Sequence, residues 1–438
     1  MSDLSVEIPS FCKPEFTYTI SCLLDEFIGL TYQMSVLEDT SHVVIRCNEH
    51  SLVIENHFFD LEDRLTYNLP HNVVKGDIDV GGEVFPIVGI YGEPRYTVDQ
   101  SNHRLAVDII SSTFFMLSRW EEHYCTERDI HGRFPARSSL AKRYDFIDRP
   151  IVNEYVELLW AILQQMGIKQ ERKNRDFTLV PTHDVDKPFL FQGWRRSLRY
   201  FAGSIKRGRI GELIRYCQYR LRGDDPFDTY DRLMDLAERE NSKAHFFFLQ
   251  KGVSKHDENH NIEHPKVKRL AQRISERGHY IGFHPSYLAV ENEQLFRREK
   301  EHLEDTFGIE VQSGRHHFLR CEVPTTWRMW HDAGIKWDST MGYADHAGFR
   351  CGVCYPFPVF DIVERKQLDL IERPLIGMEW SFVHYQGLAI DAAENAIAKL
   401  KSQVKKYNGE FVFLYHNSAF FVDEYHGIED RLLNAFYA

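Results

Sequence analysis

The chain has 438 residues, with 53 Lys and Arg against 65 Asp and Glu for a formal net charge of -12. That length exceeds one ordinary core and predicts two domains, while the acidic balance argues against a general nucleic-acid binder, which needs a basic face. At 43% hydrophobic and 13% aromatic residues a sizeable core can be buried, yet no apolar run reaches the roughly 18 residues of a membrane span.

Met1 to Phe16 carries acids and prolines where a secretory signal would carry a basic start and an apolar stretch. The eight cysteines, Cys12, Cys22, Cys47, Cys125, Cys217, Cys321, Cys351 and Cys354, then read as reduced thiols, and a cytoplasmic protein is expected. Short strands are predicted at His42–Arg46, Ser51–Glu55 and Val84–Tyr91, punctuated by Gly and Asn. A helix is predicted over Val107–His123, with apolar side chains on one face, and another over Ile151–Met166 behind Pro150. Asp129–Tyr144 is basic and Gly-containing and reads as a solvated loop, with an interaction surface as the other reading. The polar run between Ile168 and Phe177 lacks any apolar period and is the linker candidate. The expected division is an α+β unit over 1–171 and a second unit over 172–438.

The second unit opens on a buried strand, Phe177–Val180, that runs into Thr182-His183-Asp184-Val185-Asp186. A basic insert follows over 191–223, with nine Lys or Arg, one acid (Glu212) and interleaved aromatics. It reads as a pair of solvated amphipathic helices whose aromatics pack inward. The competing reading is a surface for a polyanion, an acidic glycan or a membrane headgroup face. Beyond Pro226, helices at 227–240, 265–277, 291–306, 325–333 and 391–405 alternate with strands at 244–249, 280–284, 313–318, 335–338, 368–373 and 410–416, and an irregular loop fills 342–358. Strand–helix alternation implies a parallel sheet. About seven such units predict a distorted (β/α)7-type barrel.

Four strand ends carry polar clusters: Thr182 to Asp186, Gly282 to Tyr287, Arg315 to Phe318 and Tyr415-His416-Asn417. A barrel brings such ends together. Two carboxylates with several imidazoles suit a divalent metal, with one Asp left to act as base. Such a set points to a metal-dependent hydrolase. Cys351-Gly352-Val353-Cys354 lacks further ligands at matching spacing and reads as two thiols shaping a loop. His346 and Arg350, in the 342–358 loop, are expected to contact substrate, and His183 and Tyr287 join them.

Gly278-His279-Tyr280-Ile281-Gly282-Phe283-His284, Asp184-x-Asp186, Arg315 and Leu414-Tyr415-His416 together resemble the polysaccharide deacetylases of carbohydrate esterase family four, the NodB-homology domain. Asp108 to Phe115 and Ser118 to Glu122 resemble an uncharacterised domain found ahead of such deacetylases in bacteria of the Bacteroides group. The resemblance implies Asp184 as general base, Asp186 and His284 as metal ligands, Arg315 orienting the base and His416 as general acid. Asp338 or Asp345 would hold the His416 tautomer. It implies a divalent metal, zinc first, with nickel or cobalt as alternatives. The substrate would be an acetylated amino sugar of a surface glycan or its precursor. One departure stands out: the family's second motif is His-x-x-x-His, and here its last position is Leu288. His316 or His317, ahead of His183, is expected to complete the site. The alternative is a non-catalytic carbohydrate-binding relative that has lost part of the metal site, and a further one is hydrolysis of another C–N bond.

Overall fold

Leu4, Val6 and Ile8 are buried while Ser5 and Glu7 between them are half-exposed, the period-two pattern of a strand with one face on a core. In the computed structural model, which describes residues 4–59, 73–192, 194–252, 254–258, 260–421 and 427–438, the first half contains eight strands. They are β1 (Leu4–Pro9), β2 (Gln33–Leu37), β3 (Val43–Cys47), β4 (His50–Ile54), β5 (Val74–Val80), β6 (Glu83–Gly89), β7 (Gly92–Asp99) and β8 (Asn102–Val107). Six form a sheet in the order β2-β1-β3-β4-β8-β7, and β5 pairs with β6 as a separate hairpin. The helix expected over 107–123 is two helices, Ile109–Leu117 and Trp120–Tyr124. Asp108 caps the first by accepting from the Ser111 amide at 2.8 Å. Arg119 breaks the run with a positive φ of 54°, which turns its guanidinium onto Glu121 and Glu122.

The second half carries β9 (Thr178–Val185), β10 (His245–Leu249), β11 (Tyr280–His284), β12 (Ser313–Gly314), β13 (Trp337–Asp338), β14 (Phe357–Asp361), β15 (Lys366–Glu372), β16 (Gly377–Met378) and β17 (Glu410–Leu414). They form one nine-stranded sheet ordered β14-β15-β13-β12-β11-β10-β9-β17-β16. All pairs are parallel except β14 with β15. Helices such as Pro265–Glu276, Glu293–Phe307 and Ile390–Lys406 return the chain between parallel strands. The closed barrel expected from the strand count is not formed: among the described residues no ladder joins β14 to β16. β16 is two residues long and, among the described residues, pairs with β17 alone, so its outer edge is left open. The sheet nevertheless curls. Only residues 373–376 separate β15 from β16, and Arg373 beside β15 pairs with Glu410 of β17 at 2.7 Å.

The two halves share one continuous core that runs from Leu4 to Tyr437. Tyr18 donates to the Pro358 carbonyl at 2.7 Å and its ring lies 4.8 Å from that of Phe360. At the centre of the contact is a buried cluster of charges. Glu122 accepts from Arg119 Nε at 2.7 Å and from Arg350 Nε and Nη2 at 2.8 and 2.5 Å. Burial alone would raise the Glu122 carboxyl, but the Arg350 and Arg119 charges reverse this and lower it to about 2. Cys351 and Cys354 are buried, unpaired thiols on the same contact, and the Cys354 amide donates to Asn153 at 3.0 Å. None of the eight cysteines forms a disulfide. No helix among the described residues is long and apolar enough to cross a membrane.

Removing Glu122 leaves two guanidinium groups buried without their shared carboxylate. A Glu122→Ala variant is expected to lose roughly 3–5 kcal/mol of stability, measured by urea unfolding.

Candidate metal centre

Pleat parity selects the site. On β9, Thr182, Asp184 and the next residue of that parity, Asp186, point to the concave face of the sheet, while His183 and Val185 point to the helices. On β11 the concave position is His284, beyond β12 it is Arg315 and His317, and beyond β17 it is His416. Gly282 also has this parity. A Cβ there would lie 2.4 Å from the Phe247 ring, so the glycine leaves room for that ring beneath the Arg315 guanidinium, 5.1 Å away.

Asp186, His284 and His317 each offer a ligand atom, and these atoms lie within 4.8 Å of one another. Asp186 Oδ1 is 3.2 Å from His284 Nε2 and 3.6 Å from His317 Nε2, but no donor is aligned with it and it stays unsatisfied. Both histidines have the Nδ1 atom committed elsewhere. His284 Nδ1 donates to the Arg315 carbonyl at 2.6 Å, and His317 Nδ1 donates to Asp257 Oδ1 at 3.0 Å. This fixes the tautomers so that both Nε2 lone pairs face Asp186, the second-shell arrangement that metal-binding histidines use. One carboxylate and two imidazoles with an orphaned carboxylate oxygen fit a divalent cation such as zinc, nickel or cobalt. Burial would raise the Asp186 carboxyl, yet the charges of His317, His284 and His416 and the His284 contact hold it well below the usual carboxylate range. Burial would lower His284, and the Asp184 and Asp186 charges override that and raise it.

Two further pairs flank this group. Arg315 is fully buried and donates to Asp184 Oδ1 at 3.0 Å, Thr182 Oγ1 at 2.8 Å, and the Ser339 carbonyl and hydroxyl at 2.8 and 2.9 Å. Asp184 Oδ2 faces the ligand group, 3.8 Å from His284 Nε2. From the β17 side, His416 Nε2 approaches to 3.9 Å from Asp186 Oδ2. Its Nδ1 donates to Glu379 Oε1 at 2.5 Å, and its backbone amide donates to the same oxygen at 3.0 Å. Burial opposes charge on His416, but Glu379, with Asp186 and Asp184, pushes it up to about 9. The whole set opens into a cleft of about 470 Å³. Leu319, Met378, Trp380 and Leu414 give it apolar wall, and Arg133, Lys187, Arg207 and Arg209 line it with positive charge.

The structure brings together Asp184, Asp186, His284, Arg315, His317 and His416, and it separates the remaining expected residues from them. His316 has the opposite parity and packs against Phe296 and Trp330, with ring centroids 5.6 and 5.2 Å away. His183 points to the helix side, hydrogen-bonds the Tyr415 carbonyl at 2.7 Å and packs on Phe246. Asp338 does not reach His416. It accepts from Thr340 Oγ1 at 2.5 Å and shares a buried niche with Glu372, where burial raises both carboxyls, Asp338 to about 6. Asp345 accepts from the Ala136 amide at 3.1 Å instead. Tyr287 stacks on His256 at 4.3 Å and backs the cleft instead of lining it. His346 bonds Lys142 and the Ala347 carbonyl, and Arg350 is consumed by Glu122. Leu288 lies outside the cleft lining. The sequence reading missed Asp257, Glu379 and Arg133. Parity with Arg315 would have chosen His317 over His316. No comparable signal marks Asp257, which lies in an irregular loop. The stretch 129–144, read as a solvated loop, packs on the cleft: Arg133 donates to the Phe318 carbonyl at 3.1 Å.

Residues 4–168 match the model of a family of unknown function (DUF7033). No curated protein matches the chain. Among solved structures it is similar to one described as a "putative polysaccharide deacetylase from Mycobacterium smegmatis", at 20% identity and a TM-score of 0.37, covering 60% of this chain and 83% of that one. It is also similar to the Xyl-CE4 domain of a multidomain xylanase from the hindgut metagenome of Trinervitermes trinervoides, at 11% identity and 0.27, covering 60% and 80%. A third, a mutant of a CE4 family pseudoenzyme with restored enzymatic activity, overlaps at 9% identity and 0.29, covering 60% and 63%. With overlaps this loose, function has to be read from the residues of the cleft.

Asp257→Asn removes the carboxylate behind His317 and is expected to weaken binding of zinc or cobalt by about 10–100-fold, measured by metal titration, whereas Leu288→Ala leaves the affinity unchanged. Asp338 holds its proton more tightly folded than unfolded. Its contribution to stability is therefore present below the ordinary value of 3.8 and lost as pH rises through about 6. In Asp338→Asn, denaturation midpoints measured between those pH values should lose this decline.

Proposed function

We propose that this chain is a metal-dependent amidohydrolase that removes N-acetyl groups from an amino sugar of a surface glycan or its precursor. The observation that carries the reading is the ligand group Asp186, His284 and His317, set between the Asp184–Arg315 and His416–Glu379 pairs. The motif resemblance to carbohydrate esterase family four supports it. So does His317, which supplies the nitrogen that Leu288 cannot, and this favours catalysis over a binding-only role. The chain divides, on this reading, into 1–171 and a catalytic unit over 172–438, with Arg133 as the first unit's contribution to the cleft.

Asp186, His284 and His317 would hold the divalent metal, which when bound supplies Lewis acidity for an amide carbonyl. Arg315 donates to Asp184 Oδ1, so Oδ2 is the oxygen left to take a proton from the attacking water. Glu379 holds the His416 proton at Nδ1, which turns Nε2 to the cleft. With its affinity for protons raised, His416 is charged at neutral pH and can give a proton from Nε2 to the departing amine. Water adds to the acetamide carbon, the C–N bond breaks, and the products are a free amino sugar and acetate. The basic rim, Lys187, Arg207 and Arg209, suits a substrate that also carries phosphate or carboxylate.

Elemental analysis of the purified chain should find stoichiometric zinc, nickel or cobalt. That metal should be lost in an Asp186→Ala, His284→Ala double variant. Acetate should be released from N-acetylated saccharides. Failure to bind any of these metals at saturation sinks the proposal. His416→Asn should keep the metal and lower kcat by about 10²–10⁴-fold. Glu379→Gln removes the charge that raises His416, so the alkaline limb of the rate profile should move to lower pH.

A further inference from the structure

The helices Trp194–Lys206 and Ile210–Arg222 pack on the body by an unusual face. Tyr200 and Tyr219 turn to Phe421, at ring distances of 5.9 and 6.0 Å, and Tyr200 stacks on Tyr216. The lone acid, Glu212, is buried beneath and accepts from Tyr200 at 3.0 Å, Ser204 at 3.1 Å and Arg209 at 3.0 Å. Aromatic hydroxyls, serines and a carboxylate thus face inward. The aliphatic side chains face out: Leu198 is 55% exposed, Ile205 56%, Ile210 69%, Ile214 55% and Leu221 88%. Among the described residues, five of the fourteen exposed large apolar side chains lie in this one hairpin. They are ordered. Leu198, Ala202 and Ile205 recur at i, i+4 and i+7, and Ile210, Ile214, Cys217 and Leu221 recur at i, i+4, i+7 and i+11, each set exposed along one helix face.

Water has no use for such a stripe, and monomeric proteins rarely leave one uncovered. What covers it is indicated by charge. Over 191–223 the chain carries nine Lys or Arg against the single buried Glu212, within a protein whose net charge is -12. Exposed Lys206 and Arg207 adjoin Ile205, and exposed Arg220 and Arg222 adjoin Leu221. A second copy of this acidic chain would set exposed Lys206, Arg207, Arg220 and Arg222 against the same four cations across a two-fold contact. An anionic bilayer offers apolar depth for the stripe and negative headgroups for the cations beside it. We infer that the hairpin 194–222 docks this protein on the surface of an anionic membrane, with Leu198, Ile205, Ile210, Ile214 and Leu221 entering the acyl boundary and Lys206, Arg207, Arg220 and Arg222 at headgroup level. Tyr200, Arg207 and Arg209 of the same hairpin line the cleft, so docking sets the mouth of the cleft at the membrane surface, where it meets glycans carried there. The docking does not depend on the hydrolase reading.

Flotation of the full chain with vesicles tests this. Binding is expected to vesicles of equal phosphatidylglycerol and phosphatidylcholine, to be weak on phosphatidylcholine alone, and to fall as salt screens the headgroups. A Leu198→Glu, Ile214→Glu, Leu221→Glu variant should bind at least about tenfold less tightly. A Lys206→Glu, Arg222→Glu variant should lose the preference for anionic lipid. Both change exposed side chains, and unchanged metal content with an unchanged thermal midpoint verifies their folding. Asp186→Asn should float like the parent chain, which separates failure of docking from failure of the metal site. Absence of binding to the anionic vesicles overturns the inference, as does equal binding by the parent and the triple-Glu chain. Sedimentation showing a dimer that the triple-Glu substitution dissociates, without vesicle binding, would assign the stripe to self-association instead.

Discussion

The site depends on one guanidinium. Asp184 and Asp186 sit at the end of a parallel strand whose other face is sealed by helices, where carboxylates are costly to bury without compensation. Arg315 supplies that compensation for Asp184 and does so with fixed geometry. Its donors reach Asp184 and Thr182 on β9 and Ser339 beyond β13, across the intervening Phe247 of β10. Its own carbonyl takes the His284 Nδ1 proton. One residue therefore ties together the separated strands, holds one oxygen of Asp184 and sets the tautomer of His284. A lysine would not replace it, because a point charge with three rotating donors cannot span these acceptors at once.

The first half of the chain is built into this arrangement. Glu122 is shared between Arg119 of the first half and Arg350 of the second, and the strand edge β14 packs Phe360 against Tyr18 and Phe114. The loop that follows brings Arg133 to the cleft, pinned by Asp129 at 2.7 Å and by the Phe318 carbonyl. Phe318 and Leu319 both have positive φ, 62° and 55°. The chain turns sharply there, just after His317 has been delivered to the ligand group. Arg133 holds that turn from the other half of the molecule. The matched region of unknown function is thus part of the cleft wall as well as of the core.

Much of this was legible because a strand alternates. Asp184, Asp186, His284, Arg315 and His416 fall on one pleat parity of strands that apolar runs had already marked, and the structure gathers all five. The same rule, applied fully, excludes His183 and His316. Adjacency in sequence had made them look equivalent to their neighbours, although each has its own buried packing on the helix side. Parity says nothing about residues that arrive from loops. Glu379 follows a two-residue strand and Asp257 lies in a stretch with no period, so neither could be told from any other acid. Asp338 and Arg350 failed for a different reason. Both are charged and buried, which marks a functional site when the charge faces a cleft, but Asp338 faces Glu372 and Arg350 faces Glu122. The closed barrel failed because counting strands does not reveal which edges pair, and among the described residues the outer edges of β14 and β16 stay unjoined.

The cleft divides its charges by direction. His284 and His317 reach Asp186 from the β11 and β12 side, and His416 reaches it from the β17 side. The two sides differ in what stands behind the imidazole. A backbone carbonyl and the loop carboxylate of Asp257 back the first two, leaving Nε2 lone pairs suited to a cation. Glu379 backs His416 through both its ring and its amide, which favours the imidazolium. A cation bound at Asp186 would oppose that charge, since it lies beside the same carboxylate. Glu379 is the group that can offset the opposition, being buried and committed to His416 alone among the described residues. In the proposed reaction its place is therefore to keep a proton on His416 while positive charge stands a few ångströms away, and that demand explains a carboxylate at a position where a carbonyl would suffice to set the tautomer.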